Sequence, residues 1–504
     1  MALPDRPNVL FITADQWRGE CLGSLGHMVS TPTLDRLAAE GVLFRRHYAS
    51  AAPCGPSRAC LHTGMYLMNH RSGTNGTPLD ARFTNVAKEV RKLGYAPTLF
   101  GYTDTAADPR GRPADDPALA TYEGVLPGFD IGCRLPEEPT AWLKWLRAKG
   151  YEVPPDLEIY HPVDNYPGAE GKGPSYPPPV FPAEDSITAF LTGEVLAHLE
   201  SEGERPWFVH LSWFCPHPPW VASEPYNTMF DADAVPGFIR REARVEEATQ
   251  HPWLAYQMGR AGYRAPESDT VMRQFKATYY GLMREVDDQL ARIVAWLKEK
   301  GQYERTLIVF TSDHGEQMGD HWLLGKSGYF DQSFHIPLII RDPRRNADGT
   351  RGRVVEHFTE SVDVTPTILD WLGLDVPVQC DGTSLMPFVL GQKIEGWRDA
   401  VHWEYDFRDI RGAGPESELG LTIEGSNLAV IADEEVKYVH FAGLDALLFD
   451  RQADPGEFAN LAAKPDKAAL LARYAQKMLS WRMRHMERSL SHWHLGEGGP
   501  VFRR

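Results

Sequence analysis

The segment CGPSRACLHTG, Cys54 to Gly64, places a cysteine four residues before an arginine, in a chain with only 6 cysteines. Cys54 has three readings at this point. It is a small buried apolar residue, as most free cysteines are, or a thiol nucleophile, or a side chain that is no longer a thiol in the working protein. Gly55-Pro56-Ser57 reads as a helix start, since proline is tolerated in the first turn. Backbone N–H groups and the helix dipole at such a start favour negative charge. Arg58, one turn on, falls on the same side. That arrangement suits an anionic tetrahedral group. Asp15-Gln16, Asp313-His314 and His217 (in FCPHPPW) each stand just after an apolar run. Asp15, Gln16, Asp313 and His314 together offer two carboxylates, an amide oxygen and an imidazole, which suits one divalent cation. The oxygens accept Ca²⁺ or Mg²⁺; the nitrogen shifts the choice toward Mn²⁺, Zn²⁺ or Fe²⁺.

These residues need a frame that brings strand ends together. NVLFIT (residues 8–13), APTLFGY (96–102), WFVHLSW (207–213) and TLIVFTS (306–312) are short apolar runs rich in β-formers, the pattern of buried parallel strands. HIPLIIRD reads as one more strand. TLDRLAAEG (33–41) reads as a helix closed by glycine, and NVAKEVRKLG as another. Residues 268–300 carry Phe275, Tyr279, Leu282, Val286, Leu290, Ile293 and Leu297 on one helical stripe. Alternating strands and helices imply an α/β fold with a mostly parallel central sheet flanked by helices. In such sheets the carboxyl ends of the strands converge on the ligand cleft. Residues 151–183, dense in Pro, Gly and Tyr, read as a surface excursion over a cleft. From about residue 396 the pattern changes to short antiparallel strands (AVHWEYDF, NLAVIADEEVKYVHF, ALLFDR), a helix and an Arg- and aromatic-rich tail. The expected division is a catalytic domain over 1–395 and a small sheet subdomain with its tail over 396–504.

The chain has 504 residues, 42% hydrophobic and 24% charged, the composition of a globular protein with a large core. Its net charge of −17 argues against a nucleic-acid partner and against an anionic membrane surface. A cleft of Arg, Lys and metal can still reverse that field locally. No CxxC spacing, signal peptide or membrane-length apolar run is present, so a cytoplasmic location without structural disulfides is expected.

Cys54-Gly55-Pro56-Ser57-Arg58 followed by Thr63-Gly64 resembles the signature of the type I sulfatases. RPNVLFITADQ, TPTLDRLAAEG, PHPPW, FTSDHGEQMGDH, LGKSGYFDQSFHIPLIIRD, SVDVTPTILDWLG and LFDRQADPGEFANLA are similar to segments of that family in the same order. The resemblance covers nearly the whole chain apart from the excursion and the extreme tail. It implies the alkaline phosphatase superfamily sandwich, with a small C-terminal antiparallel sheet. It also implies that Cys54 is oxidised to formylglycine by a formylglycine-generating enzyme. Many arylsulfatases carry Asp-Asp and Asp-Asn where this chain has Asp15-Gln16 and Asp313-His314, and a Lys-x-His pair that is missing around Tyr102. These departures resemble the phosphonate monoester hydrolase branch, whose members also cleave sulfate esters and phosphodiesters.

By that resemblance the metal ligands are Asp15, Gln16, Cys54, Asp313 and His314, holding one divalent ion, with Mn²⁺ or Ca²⁺ expected first and Zn²⁺ next. Cys54 is the nucleophile precursor, and Arg58, Asn75, Tyr102, His217 and Lys326 contact the substrate. Asp104 stands where that branch carries threonine, and its charge would repel a doubly charged ester. The implied reaction hydrates the aldehyde to a diol: one hydroxyl attacks sulfur or phosphorus, His217 or Lys326 protonates the leaving group, and the second hydroxyl expels the product. The expected partners are a small sulfate or phosphonate ester and further copies of the chain, as a dimer or tetramer. Two alternatives are a phosphodiesterase or phosphomutase of the same superfamily, which would use Ser or Thr with two metals, and a non-catalytic anion-binding relative.

Overall fold

The computed structural model describes residues 6–136, 139–154 and 158–503. Strand Asn8–Ala14 lies at its centre with every residue buried. Alternation along the strand sends Val9 and Phe11 into one apolar cluster and Leu10, Ile12 and Ala14 into the other. A strand with two buried faces has no polar side, so the sequence runs apolar without a break. Phe208–Trp213 and Thr306–Thr311 pair with it in parallel on either side. Thr98–Gly101 then pairs in parallel beyond Phe208–Trp213.

These four strands are the middle of an eight-stranded sheet that also contains Val42–Phe44, Asp130–Arg134, Leu338–Arg341 and Arg353–Val355. Only Leu338–Arg341 runs antiparallel to its neighbours within it. HIPLIIRD divides into two strands, His335–Ile336 and Leu338–Arg341, rather than the expected one. Pro337 separates them and has no N–H to give a ladder. Helices cover both faces. Asp269–Glu299 packs on one side with the predicted stripe turned inward, Phe275 alone being only partly buried. Ser268 caps that helix by accepting from the Val271 N–H. Helices Cys54–Thr63 and Val364–Trp371 lie on the other side.

The C-terminal strands Val401–Asp406, Asn427–Ala432, Val436–Phe441 and Leu447–Asp450 form an antiparallel sheet. Its fifth strand, Ala51–Ala52, comes from the residues just before Cys54 and runs parallel to Val401–Asp406. The small sheet is thereby tied to the start of the Cys54 helix. The tail ends in an exposed hairpin, Trp493–Gly496 with Gly499–Phe502. None of the excursion's described residues lines the cleft or the groove beside it. They lie against the long helix and residues 223–227: the Ser175 carbonyl accepts from Thr278, the Tyr176 carbonyl from Asn227, and the Phe181 carbonyl from Ser223. Backbone in a proline-rich segment has few N–H groups, so its carbonyls are satisfied by side chains of the body it lies on.

Candidate active site

Each of the four central strands delivers its residues at its carboxyl end. Asp15 and Gln16 follow Ala14, Asp313 and His314 follow Thr311, His217 follows Trp213 by a short loop, and Tyr102 and Asp104 follow Gly101. The Cys54–Thr63 helix points its first turn at the same place. It is buried along its whole length and closes on Gly64 in the left-handed conformation. Asp15, Cys54, Asp313 and His314 each present one ligand atom, and these atoms lie within 4.8 Å of one another.

The donor set is oriented for a cation. Asp15 Oδ2 accepts from the Tyr102 hydroxyl and, at 3.1 Å, from Arg58. Asp15 Oδ1 is buried without a hydrogen-bond partner. A buried lone carboxylate oxygen is costly unless something positive meets it. His314 Nδ1 lies 3.0 Å from the Gly315 carbonyl, so that nitrogen carries the proton and Nε2 turns its lone pair inward, 3.2 Å from Cys54 Sγ. Gln16 adopts φ 71°, a conformation uncommon for a side-chain-bearing residue. There its N–H donates to Asp313 Oδ1 at 3.1 Å and its carbonyl accepts from Tyr279 at 2.6 Å. Its side-chain nitrogen donates to Glu316, which leaves Oε1 facing the site, where Lys326 Nζ donates to it at 2.6 Å. The residues present therefore fit one divalent ion with mixed oxygen and nitrogen ligands.

Arg58 and Tyr102 differ from their expected roles. Arg58 has no exposed surface, and its guanidinium is used within the protein. Nε donates to Asp313 Oδ2 at 2.9 Å, one terminal nitrogen to Asp15, and the other to Ser212 Oγ at 2.7 Å and the Tyr102 carbonyl at 3.1 Å. The Tyr102 ring lies 4.1 Å from the guanidinium carbon. Arg58 grips both carboxylates from behind and is not aimed at a substrate; Tyr102 holds Asp15 through its hydroxyl and also forms part of the cleft wall. The spacing from Cys54 sets Arg58 on the same helix face, but Arg58 reaches between the strand ends behind the cleft that Cys54 lines.

The residues that line the small cleft, about 130 Å³, include Cys54, Asn75, Asp104, His217 and Lys326. Asn75 is exposed at its mouth, and its side-chain oxygen accepts from the Gly55 N–H at 2.9 Å. That bond satisfies one free N–H of the helix start and leaves the amide NH₂ for a ligand. His217 Nδ1 lies 2.7 Å from the Pro218 carbonyl, so Nδ1 holds the proton and Nε2 is an acceptor. Burial and the nearby Lys326 charge pull His217 down to about 3, so it is neutral near pH 7. Burial opposes the charge on Lys326, yet Cys54, Asp15 and Asp313 hold its pKa above the usual lysine value. Burial raises Asp15, but His217 and His314, once protonated in acid, and Lys326 and Arg58 more than offset it, so the group stays ionised near pH 7, where Lys326 and Arg58 carry the charge. Burial and then Asp15 push the Cys54 thiol well up, so it is a protonated thiol and a weak nucleophile as it stands. Asp104, at φ 47°, is raised to about 7 by burial, with Arg58 opposing and Asp15, Asp313 and Glu123 adding to the rise.

Several contributors escaped the sequence reading. Glu316 is buried, and its Oε1 accepts from the Met318 and Gly325 N–H groups at 2.8 and 2.7 Å while Oε2 holds Gln16. Ser57 donates to the Asp313 carbonyl, and Ser312 accepts from the Trp17 N–H at 2.9 Å. The sole signal for Glu316 is an acid two residues after His314 in a stretch that reads as a hydrophilic loop.

A family model described as Sulfatase matches residues 7–374, and one described as N-sulphoglucosamine sulphohydrolase, C-terminal, matches residues 319–484. The multifunctional alkaline phosphatase superfamily protein PehA of Trinickia caryophylli is 44% identical, covering 99% of this chain and 99% of its own. An arylsulfatase of Clostridium perfringens is 26% identical over 90% of each chain. Among solved structures, a phosphonate monoester hydrolase of Agrobacterium radiobacter superposes with a TM-score of 0.95 at 49% identity, covering 99% of this chain and 100% of its own.

Proposed function

Because the chain belongs to the sulfatase family of the alkaline phosphatase superfamily, and is thereby a hydrolase of ester bonds, we propose that it uses formylglycine, made from Cys54, and one divalent metal ion to cleave sulfate monoesters, phosphonate monoesters and phosphodiesters. The observation that carries this reading is the convergence of Cys54 with Asp15, Asp313 and His314 at the start of a buried helix. Sequence similarity to phosphonate monoester hydrolases along the full chain supports the choice of esters. Cys54 is 5% exposed, so its conversion has to precede folding.

Asp15, Gln16, Asp313 and His314 hold the ion, which when bound supplies Lewis acidity and a lower pKa for a neighbouring hydroxyl; Mn²⁺ or Ca²⁺ fits first and Zn²⁺ next. Once converted and hydrated, the residue at position 54 would supply the hydroxyl that attacks sulfur or phosphorus. Arg58 and Tyr102 keep the carboxylates of Asp15 and Asp313 in place throughout. Lys326, charged and in the cleft, neutralises the non-bridging oxygens and gives a proton to the leaving oxygen. Its raised pKa keeps it charged at neutral pH, and an alkoxide, the stronger base, draws its proton more readily than a phenoxide. His217 presents a bare Nε2 and accepts a proton. It serves as the base that lets the second hydroxyl expel the product, not as the acid.

Further copies of the chain are the proposed partners of the tail, whose Leu490, Trp493, Leu495 and Val501 are 79%, 48%, 77% and 58% exposed. All 6 cysteines are buried, and the proposed location is cytoplasmic. Among the described residues no helix is long and apolar enough to cross a membrane.

The test is the mass of the Cys54 peptide from cells that hold the maturing enzyme, together with turnover of an aryl sulfate, a phosphonate monoester and a phosphodiester. Loss of sulfur with gain of an aldehyde or its hydrate, in protein that turns over these esters, is expected. An unmodified thiol in fully active protein refutes the reading.

A further inference from the structure

The reaction cleft opens into a larger groove of about 720 Å³, and the two share Asn75, Tyr122 and Lys326 on their walls. A substrate whose sulfur or phosphorus lies beside Cys54 and Lys326 has its leaving group at this boundary, so the groove receives the organic half. Tyr122, Tyr256, Tyr263 and Tyr405 line it. Flat aromatic walls select a flat ring.

The groove also differs in charge from the rest of the molecule. Arg260, Arg408, Arg411 and Lys326 face it against only Asp406 and Asp409, in a chain of net charge −17. Arg408 is tied to Asp406 at 2.7 Å. The Asp409 carboxylate is turned to the backbone, accepting from the N–H groups of Arg411 and Gly412 at 3.1 and 2.8 Å. Arg260 lies over the Tyr263 ring at 4.3 Å and over the Tyr256 ring at 5.4 Å. Its guanidinium reaches no carboxylate within ion-pair distance among the described residues; its single side-chain bond is to Gln257 at 3.4 Å. A half-buried arginine stacked on rings, bonded only to Gln257 and sensed by Asp409 beyond ion-pair distance, matches a carboxylate carried by an aromatic ring.

Resting on the ester-hydrolase reading above, we propose that this groove is the leaving-group subsite for an aromatic alcohol bearing a carboxylate remote from the ester oxygen, with Arg260 receiving that carboxylate. Net negative charge on the protein then repels such substrates everywhere but here, and the groove supplies the local exception.

The experiment compares 4-carboxyphenyl and 4-carbamoylphenyl esters of phenylphosphonic acid, which differ in charge at nearly constant shape. With mature metal-loaded protein, kcat/KM is expected to favour the carboxyphenyl ester by about tenfold, mostly through KM, and to lose that preference at high salt. Arg260→Met should cost the carboxyphenyl ester about tenfold more than the carbamoylphenyl ester. Equal kcat/KM for the two esters, or a preference that survives Arg260→Met, overturns the assignment. Binding of 4-hydroxybenzoate against 4-hydroxybenzamide, measured by calorimetry, reads the same selectivity without turnover. A protein that binds 4-hydroxybenzoate through Arg260 but hydrolyses neither ester keeps the subsite and refutes the esterase reading. One that hydrolyses both without discrimination does the reverse.

Discussion

Replacing Arg58 with methionine removes a fully buried charge from the site. The substitution keeps much of the side-chain volume and removes the guanidinium, which bridges Asp15 at 3.1 Å and Asp313 at 2.9 Å while also satisfying Ser212 and the Tyr102 carbonyl. All three charged groups have side chains with at most 1% exposure, so solvent cannot take over the arginine's part. Breaking a buried pair from one side costs about 3–5 kcal/mol, because a desolvated charge is left behind. An unfolding entropy of about 2.1 cal/mol/K per residue gives roughly 1 kcal/mol/K for a cooperative chain of this length. The Arg58→Met protein, stripped of metal by a chelator, should therefore melt about 3–5 °C lower at pH 7.

The deficit has a predictable pH dependence. In the intact protein the Asp15 pKa is depressed, so the stability its ionised form contributes is present above the unfolded value of about 3.9 and is lost only well below it. Without Arg58 the Asp15 pKa rises, and the variant takes up a proton that the parent refuses. The gap between the two melting temperatures should accordingly narrow as pH falls from 7 toward 4. Arg58→Lys returns one charge but only a single point donor, so it should recover less than half of the loss. Differential scanning calorimetry of the three proteins across this pH range gives the answer. A shift below about 1 °C for Arg58→Met, or a deficit that does not change with pH, would show that the carboxylates are not held as ions by this arginine.

Two other substitutions probe neighbouring parts of the site. In Glu316→Gln the new amide keeps an oxygen for the Met318 and Gly325 N–H groups and turns its NH₂ toward Gln16, so the Gln16 amide must flip and aim nitrogen at the metal position. Mn²⁺ affinity by calorimetry should fall about 10- to 100-fold with little change in the metal-free melting temperature, and an unchanged affinity would remove Gln16 from the ligand set. Asp104, with a pKa near 7, gains its charge as pH rises through neutrality; Asp104→Asn should raise kcat/KM for a dianionic phosphate monoester relative to a monoanionic phosphodiester by about tenfold at pH 8. If the ranking of the two esters does not move, charge at this position does not select the substrate.

What was legible in the sequence, and what was not, follows from how far each signal travels along the chain. The central strands announce themselves because a strand buried on both faces has to be apolar throughout, and Asn8–Ala14 and Thr306–Thr311 are fully buried. An acid directly after such a run stands out, so Asp15 and Asp313 were found together with the neighbours that share their turns. Depth was not legible. The helical spacing that set Arg58 one turn from Cys54 says which way the side chain points, but not that the sheet stands there instead of a ligand. Tyr102 was placed correctly at its strand end, yet its hydroxyl goes to Asp15, since a buried phenol takes the nearest strong acceptor. Glu316 was missed because a charged residue in a polar loop is ordinarily solvated; only the fold reveals that two backbone N–H groups and Gln16 converge on it. The groove walls were the least legible of all. Tyr122, the Tyr256–Tyr263 turn and residues 405–411 have no shared period and come together only because the C-terminal sheet is pinned to Ala51–Ala52, immediately ahead of Cys54. That pinning makes the small sheet part of the active site. A change in register between Val401–Asp406 and Ala51–Ala52 would displace the groove and the nucleophile helix together, so substrate selection and chemistry share one mechanical anchor.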